Sequence, residues 1–304
     1  MINNFKRGLH QVLSVTAFNF RMWRKNPRVI LTFLLAFILC FLLSDKVASF
    51  AYEMETTLQI VEPFVWTFGD SNSIMLISLL LILLFADIPF LGAGVPYYLV
   101  RMDRSKWIMG QVLYVVASTM IYMVFVLVAT ALICMQNSFS GNLWSETAAL
   151  LSYSNAGNAI VLPALIKTLE MSFPYNAMIT IFVLMLLYTL LMVFVMLFFK
   201  IWKGNLAGII AGFAFNLFGF LLNPEFIKAI FNLPSDLMYK ANVAVGWISP
   251  LNHATYHMHN FGYDLLPRLW QTYLIFAVLI AGFYILTRIA MKRYNFNVSG
   301  YDNN

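Results

Sequence analysis

Apolar positions in this chain come in blocks too long for a strand and too unbroken for the one-sided stripe of a soluble helix. The first runs without a charge from Val29 to Ser44, and five more follow. Membrane-length segments fall near residues 28–48, 73–93, 107–135, 177–199, 205–222 and 271–291. An α-helix rises about 1.5 Å per residue, so about 20 apolar residues cross about 30 Å of hydrocarbon. The pattern predicts an all-α polytopic membrane protein, a single transmembrane domain over 1–304 with six transmembrane helices. The third block is long, and its opening turn at Trp107 is expected outside the hydrocarbon. The fifth is short and glycine-rich.

Residues 8–26 have a different period. Leu9, Val12, Leu13, Phe20 and Trp23 recur at three- and four-residue spacing, while His10, Gln11, Ser14, Arg21 and Lys25 lie largely elsewhere around the wheel. That reads as an amphipathic interfacial helix, with a plain basic juxtamembrane stretch as the alternative. The connections after the second and fourth blocks are short. Those after the third and fifth are large outer loops, 136–176 and 223–270, and the second holds apolar runs at Phe226–Phe231 and Val243–Ile248. These are too short to span and suggest helices that dip into the membrane or lie on it.

Composition agrees: 61% of the 304 residues are hydrophobic and 11% charged, against about 25% charged in soluble domains. Fourteen of the nineteen basic residues fall in the N-terminal lead, the turns after blocks two and four, and the C-terminal end. The positive-inside rule then makes both termini cytoplasmic. The net charge of +6 reflects this orientation, and no nucleic-acid partner is needed. Cys40 and Cys134 lie in apolar runs and read as buried free thiols, without a disulfide framework. No small-residue cleavage site follows the first block, so it is expected to stay in the mature protein.

Several residues carry candidate chemistry. Asp87 is a carboxylate inside the second block, a candidate pathway or ion site; the plainer reading is an interfacial carboxylate paired with a basic residue or a freed amide. Asn216, deep in the fifth block, is a second candidate for a pathway or ion site and is expected to bond across helices or to face a cavity. Gly204, Gly208 and Gly212 lie at four-residue spacing, a strip that lets a neighbouring helix of this chain or of a second copy approach closely. His253, His257 and His259 hold all but one of the chain's histidines. An i, i+4 pair could bind zinc with Asp264, but H-E-x-x-H is missing, and a polar turn near the headgroups is the favoured reading. The run after Pro96 pairs aromatic residues with charges and predicts either a short cytoplasmic helix that docks a partner or an anchoring turn with Trp107 in the headgroups. Asn297-Val298-Ser299 matches a glycosylation acceptor, but on the expected cytoplasmic side. No G-x-x-x-x-G-K-[ST] phosphate loop occurs, so ATP, if used, needs another subunit.

Two stretches sharpen the picture. Asp87-Ile-Pro-Phe leads to Tyr97-Tyr-Leu-Val-Arg101-Met-Asp-Arg104-Ser-Lys-Trp107-Ile-Met-Gly-Gln111, and Ile248-Ser-Pro-Leu-Asn-His253-Ala precedes the last block. With the topology, they resemble the permease subunits of bacterial type-2 ATP-binding-cassette (ABC) exporters. The resemblance implies a dimer of two permeases, of the same or related chains, in the bacterial plasma membrane. It implies a cytoplasmic ABC ATPase subunit that carries the ATP and Mg, no cofactor on this chain and no catalytic residue of its own. Tyr97, Tyr98, Arg101, Asp103 and Arg104 would lie in the coupling helix that docks on the ATPase. The substrate would be apolar or amphipathic: a peptide, lipid or drug. The alternative is a secondary transporter or channel that uses Asp87 as its proton or ion site; an intramembrane enzyme would need a second catalytic group beside it.

Overall fold

Asn26 and Pro27 set the entry to the first long helix. The Asn26 side chain accepts from the Arg28 amide at 3.1 Å, and Pro27 occupies the first turn, where its missing N–H costs nothing. This junction joins α1 (Ile2–Trp23) to α2 (Pro27–Glu53). The computed structural model describes residues 2–88, 102–154, 156–159, 166–232, 234–262 and 264–293. After α2 come α3 (Glu62–Thr67), α4 (Ser71–Phe85) and α5 (Arg104–Ile133). Three short helices follow, α6 (Glu146–Tyr153), α7 (Ala156–Ala159) and α8 (Ile166–Met171), then α9 (Pro174–Lys203) and α10 (Asn205–Leu221). The last stretch holds α11 (Pro224–Phe231), α12 (Met238–Ile248), α13 (Pro250–Ala254) and α14 (Leu269–Arg293).

The chain is an all-α membrane protein by its helices. α2, α5, α9 and α14 are each long and apolar enough to cross a bilayer, and α10 with α11, bent by 75°, passes only as a pair. Among the described residues that gives four helices able to cross, or five with the bent pair, where the sequence pattern predicts six. The difference begins at α4. Its 15 residues rise about 22 Å, and it stops at Phe85, eight residues short of the expected end. Pro89, two residues after the turn at Ala86 and Asp87, restricts the backbone before it and disfavours helix there. Residues 89–93 of the expected second block lie outside the described residues.

Helix α9 is the centre. It is buried without interruption from Leu191 to Leu197, as expected of a helix apolar all round, and packs against α3, α4, α5, α10 and α14. By contrast α2 turns Ile30, Leu34, Phe41 and Leu42 outward, and α14 turns out Leu274, Val278 and Ile285, an apolar exterior suited to lipid. The bundle has two chemically different ends. The start of α2 meets the turn after α4, and the start of α5 meets the end of α14; this is the basic end. At the far end a two-residue parallel bridge, Leu58 opposite Ser138 and Gln59 opposite Phe139, joins the segments that follow α2 and α5.

Helix α1 is held by α5. Thr16 Oγ1 donates to the Gly110 carbonyl at 3.1 Å, Asn19 Nδ2 to Gln111 Oε1 at 2.8 Å, and Trp23 Nε1 to the Tyr114 hydroxyl at 2.6 Å. The helices approach so closely that a Cβ on Gly110 would meet Val15 Cβ at 2.6 Å. The buried face is thus Val15, Thr16 and Asn19, while Leu9 and Leu13 of the expected apolar stripe are about half exposed, at 49% each. Trp107 is buried in the core, not free at a headgroup surface.

Candidate functional site

The basic end brings together groups from five helices. Asp87 lies in the turn after α4, ion-paired with Arg28 Nη1, and its other oxygen accepts from Asn26 Nδ2 at 2.8 Å. The buried Lys200 of α9 donates to the neighbouring Ala86 carbonyl at 3.3 Å. The carboxylate therefore stands outside the apolar helix, with both oxygens engaged, and its partners come from the α1–α2 junction.

Tyr97, Tyr98 and Arg101 lie outside the described residues. Asp103 and Arg104 open α5. Arg104 Nη1 donates to the Met291 and Lys292 carbonyls at 2.5 and 2.9 Å, satisfying orphan acceptors at the C-terminal end of α14, where a cation also suits the helix dipole. Asp103 is exposed and pairs with Lys106 at 3.0 Å. Both flanks of residues 89–101 are thus fastened to the bundle, one through Asp87 and Ala86 to α2 and α9, the other through Arg104 to α14.

The glycine strip divides. Gly204 has φ +98 and open space around it, so it serves the sharp break between α9 and α10 and not a helix contact. Gly208 and Gly212 do pack closely, and their neighbour is α9 of this chain: a Cβ would stand 2.8 Å from the Met196 carbonyl oxygen and 2.9 Å from Met196 Cγ. One turn on, Asn216 is buried and accepts at Oδ1 from Tyr188 OH at 2.6 Å and from Ser78 Oγ, while its Nδ2 donates to the Gly212 carbonyl at 3.3 Å. It bonds across α4, α9 and α10.

At the far end His253, His257 and His259 are all buried. His257 Nδ1 bonds Thr168 Oγ1 of α8 at 2.7 Å, and its ring stacks on Trp66 of α3. Burial, then the nearby Lys167 and His259, push the His257 ring down to about 3. His253 Nδ1 and His259 Nε2 both lie 3.0 Å from Thr272 Oγ1 of α14. Asp264 turns to Lys167 at 2.7 Å, and no group of three or more His, Cys, Asp or Glu fit to hold a metal occurs among the described residues.

The sequence pattern missed Glu62. Its side chain is fully buried, and Oε1 accepts from the Ser145 amide at 2.6 Å while Oε2 accepts from Ser145 Oγ at 2.6 Å and the Gln59 amide at 3.3 Å. Burial outweighs these donors and pushes the carboxyl up to about 7. Ser145 in turn caps α6, so Glu62 binds the entry of α3 to the entry of α6. The signal was legible: a charge followed by proline within the otherwise apolar run Val61–Trp66.

Neither family models, nor curated proteins, nor solved structures give a match to this chain.

Proposed function

We propose that this chain is the transmembrane permease subunit of an ATP-driven ABC exporter in a bacterial plasma membrane, six-spanning with both termini cytoplasmic, coupled as a dimer to separate ATPase subunits and moving an apolar or amphipathic substrate. On this reading α4 and the bent α10 and α11 pair supply the two crossings that helix length alone does not give.

The supporting observation is mechanical. Residues 89–101, where the resemblance puts the coupling helix, are flanked by the Asp87 clasp to Arg28 and Asn26, the Lys200 bond to Ala86, and the Arg104 cap on α14. A displacement of that segment is handed at once to α2, α5, α9 and α14. The clamp between α1 and α5 adds an interfacial helix that moves with the same unit. Nucleotide would act by binding one arrangement of the dimer more tightly than the other, since a ligand shifts an equilibrium only through differential affinity.

The secondary-transport reading draws no support from Asp87, which pairs with Arg28 at a helix end. The test uses Arg101, because Arg104 also holds α14. Arg101→Glu, reconstituted with the co-purified ATPase, is expected to lose substrate-stimulated ATP hydrolysis while its thermal unfolding stays that of the wild type. Undiminished ATP-driven transport by Arg101→Glu would remove the coupling role.

A further inference from the structure

Four contacts run as a chain through the last loop of the far end. His253 Nε2 faces the Trp247 carbonyl at 3.0 Å, His253 Nδ1 faces Thr272 Oγ1 at 3.0 Å, the same hydroxyl faces His259 Nε2 at 3.0 Å, and His259 Nδ1 faces the Tyr256 carbonyl at 3.1 Å. Each separation is that of a hydrogen bond, and each bond needs a proton between its heavy atoms. The carbonyls have none to give. A neutral imidazole has one N–H and a threonine hydroxyl one O–H, so the neutral trio holds three protons for four contacts. Changing tautomers or turning the hydroxyl moves the deficit from one contact to another without removing it. One contact must set lone pair against lone pair, among side chains no more than 3% exposed.

We propose that His253, Thr272 and His259 form a binding site for one additional proton, which completes the chain and fastens the end of α12, α13 and the turn after it to the start of α14. Binding is an acid-base step: a hydronium ion gives its proton to an imidazole nitrogen, whose lone pair forms the new N–H bond. The imidazolium then donates to the Thr272 hydroxyl, which donates onward to the other ring.

The surroundings decide when the site fills. Burial opposes charge on both rings and pushes His259 down to about 4 against the pull of the Tyr256 and Thr255 carbonyls, with the neighbouring His253 and Lys167 adding to the fall. Lys167 of α8 donates to the His259 carbonyl at 3.3 Å and is paired with Asp264. His257 stays neutral beside them, and Tyr256 is uncharged in this range. Asp70, before α4, accepts from the Ser73 amide, and Lys240 of α12 and Arg268 ahead of α14 are exposed. A second proton would add like charge in a buried site with no contact left to fill. The pair therefore takes up one proton on acidification, and the next enters only at much lower pH.

The test is nitrogen-15 NMR of the full chain, histidine-labelled, in lipid nanodiscs, titrated from neutral pH downward, with the exposed His10 as reference. Expected at neutral pH are opposite tautomers, His253 protonated on Nε2 and His259 on Nδ1, as the two carbonyls demand. On acidification both rings should shift together as one proton is taken up. Thr272→Val should weaken that uptake about tenfold, one pH unit lower, while Thr272→Ser retains it. Separate midpoints for the two rings, the same tautomer on both, or uptake indifferent to Thr272→Val would overturn the proposal. Should Thr272→Val not fold, the wild-type tautomers and proton count decide it alone.

Discussion

Glu62 and His257 pull the far end in opposite directions with pH. The carboxyl of Glu62, raised from 4.5 to about 7, binds its proton more tightly folded than unfolded. Its contribution is complete below pH 4.5 and is lost as pH rises through 7. The His257 ring is lowered from 6.5 to about 3, so its contribution is complete above pH 6.5 and is lost as pH falls through 3. Between 4.5 and 6.5 the slopes of Glu62 and His257, each at most about 1.4 kcal/mol per pH unit, cancel, which leaves the rise contributed by His253 and His259, whose rings are also lowered from 6.5. Thermal unfolding in detergent is expected to shift upward with pH there. In Glu62→Gln that rise should steepen by up to about 1.4 kcal/mol per pH unit, and an unchanged profile would show that Glu62 is not the group responsible. The histidines were legible as a cluster, but their burial was not, since Thr168 and Thr272, which bond them, stand 89 and 13 or 19 positions away. Nor could spacing reveal that Asp87 would meet Arg28, 59 positions back.

Apolar runs were enough to locate the long helices, because a span is written in consecutive residues. They located ends less well: α2 continues to Glu53, past the charges Asp45 and Lys46, whereas α4 stops at Phe85. The glycine strip was half legible. Four-residue spacing found Gly208 and Gly212, but the positive φ of Gly204 is a property of the break it makes. Gly208→Ala would drive a Cβ to 2.8 Å from the Met196 carbonyl oxygen and from Lys200 Cβ. Overpacking of this kind costs about 1–3 kcal/mol, to be read as a fall in unfolding temperature. Gly282→Ala, in α14 with open space around it, should instead be neutral or stabilising by up to about 1 kcal/mol. Arg104→Ala leaves the Met291 and Lys292 carbonyls without their cation. It is expected to speed hydrogen exchange in the last turns of α14 while leaving α2 as protected as before.

At the scale of the whole molecule, the sequence already separates long apolar blocks from the basic stretches that flank them. What one chain's sequence leaves unwritten is the partner, because a docking face is complementary to something the sequence does not contain. The proposed permease makes that partner a cassette ATPase at the basic end, where the Asp87 clasp and the Arg104 cap hold the described residues on either side of 89–101. The most direct measurement is affinity purification of this chain from its native membrane, followed by assay of nucleotide binding and hydrolysis. The permease role predicts a cytoplasmic ABC ATPase that co-purifies in equal amount and carries all the ATP binding, with the isolated chain binding none. Purification without such a subunit, together with substrate flux in ATP-free vesicles driven by a proton gradient and abolished by Asp87→Asn, would contradict it.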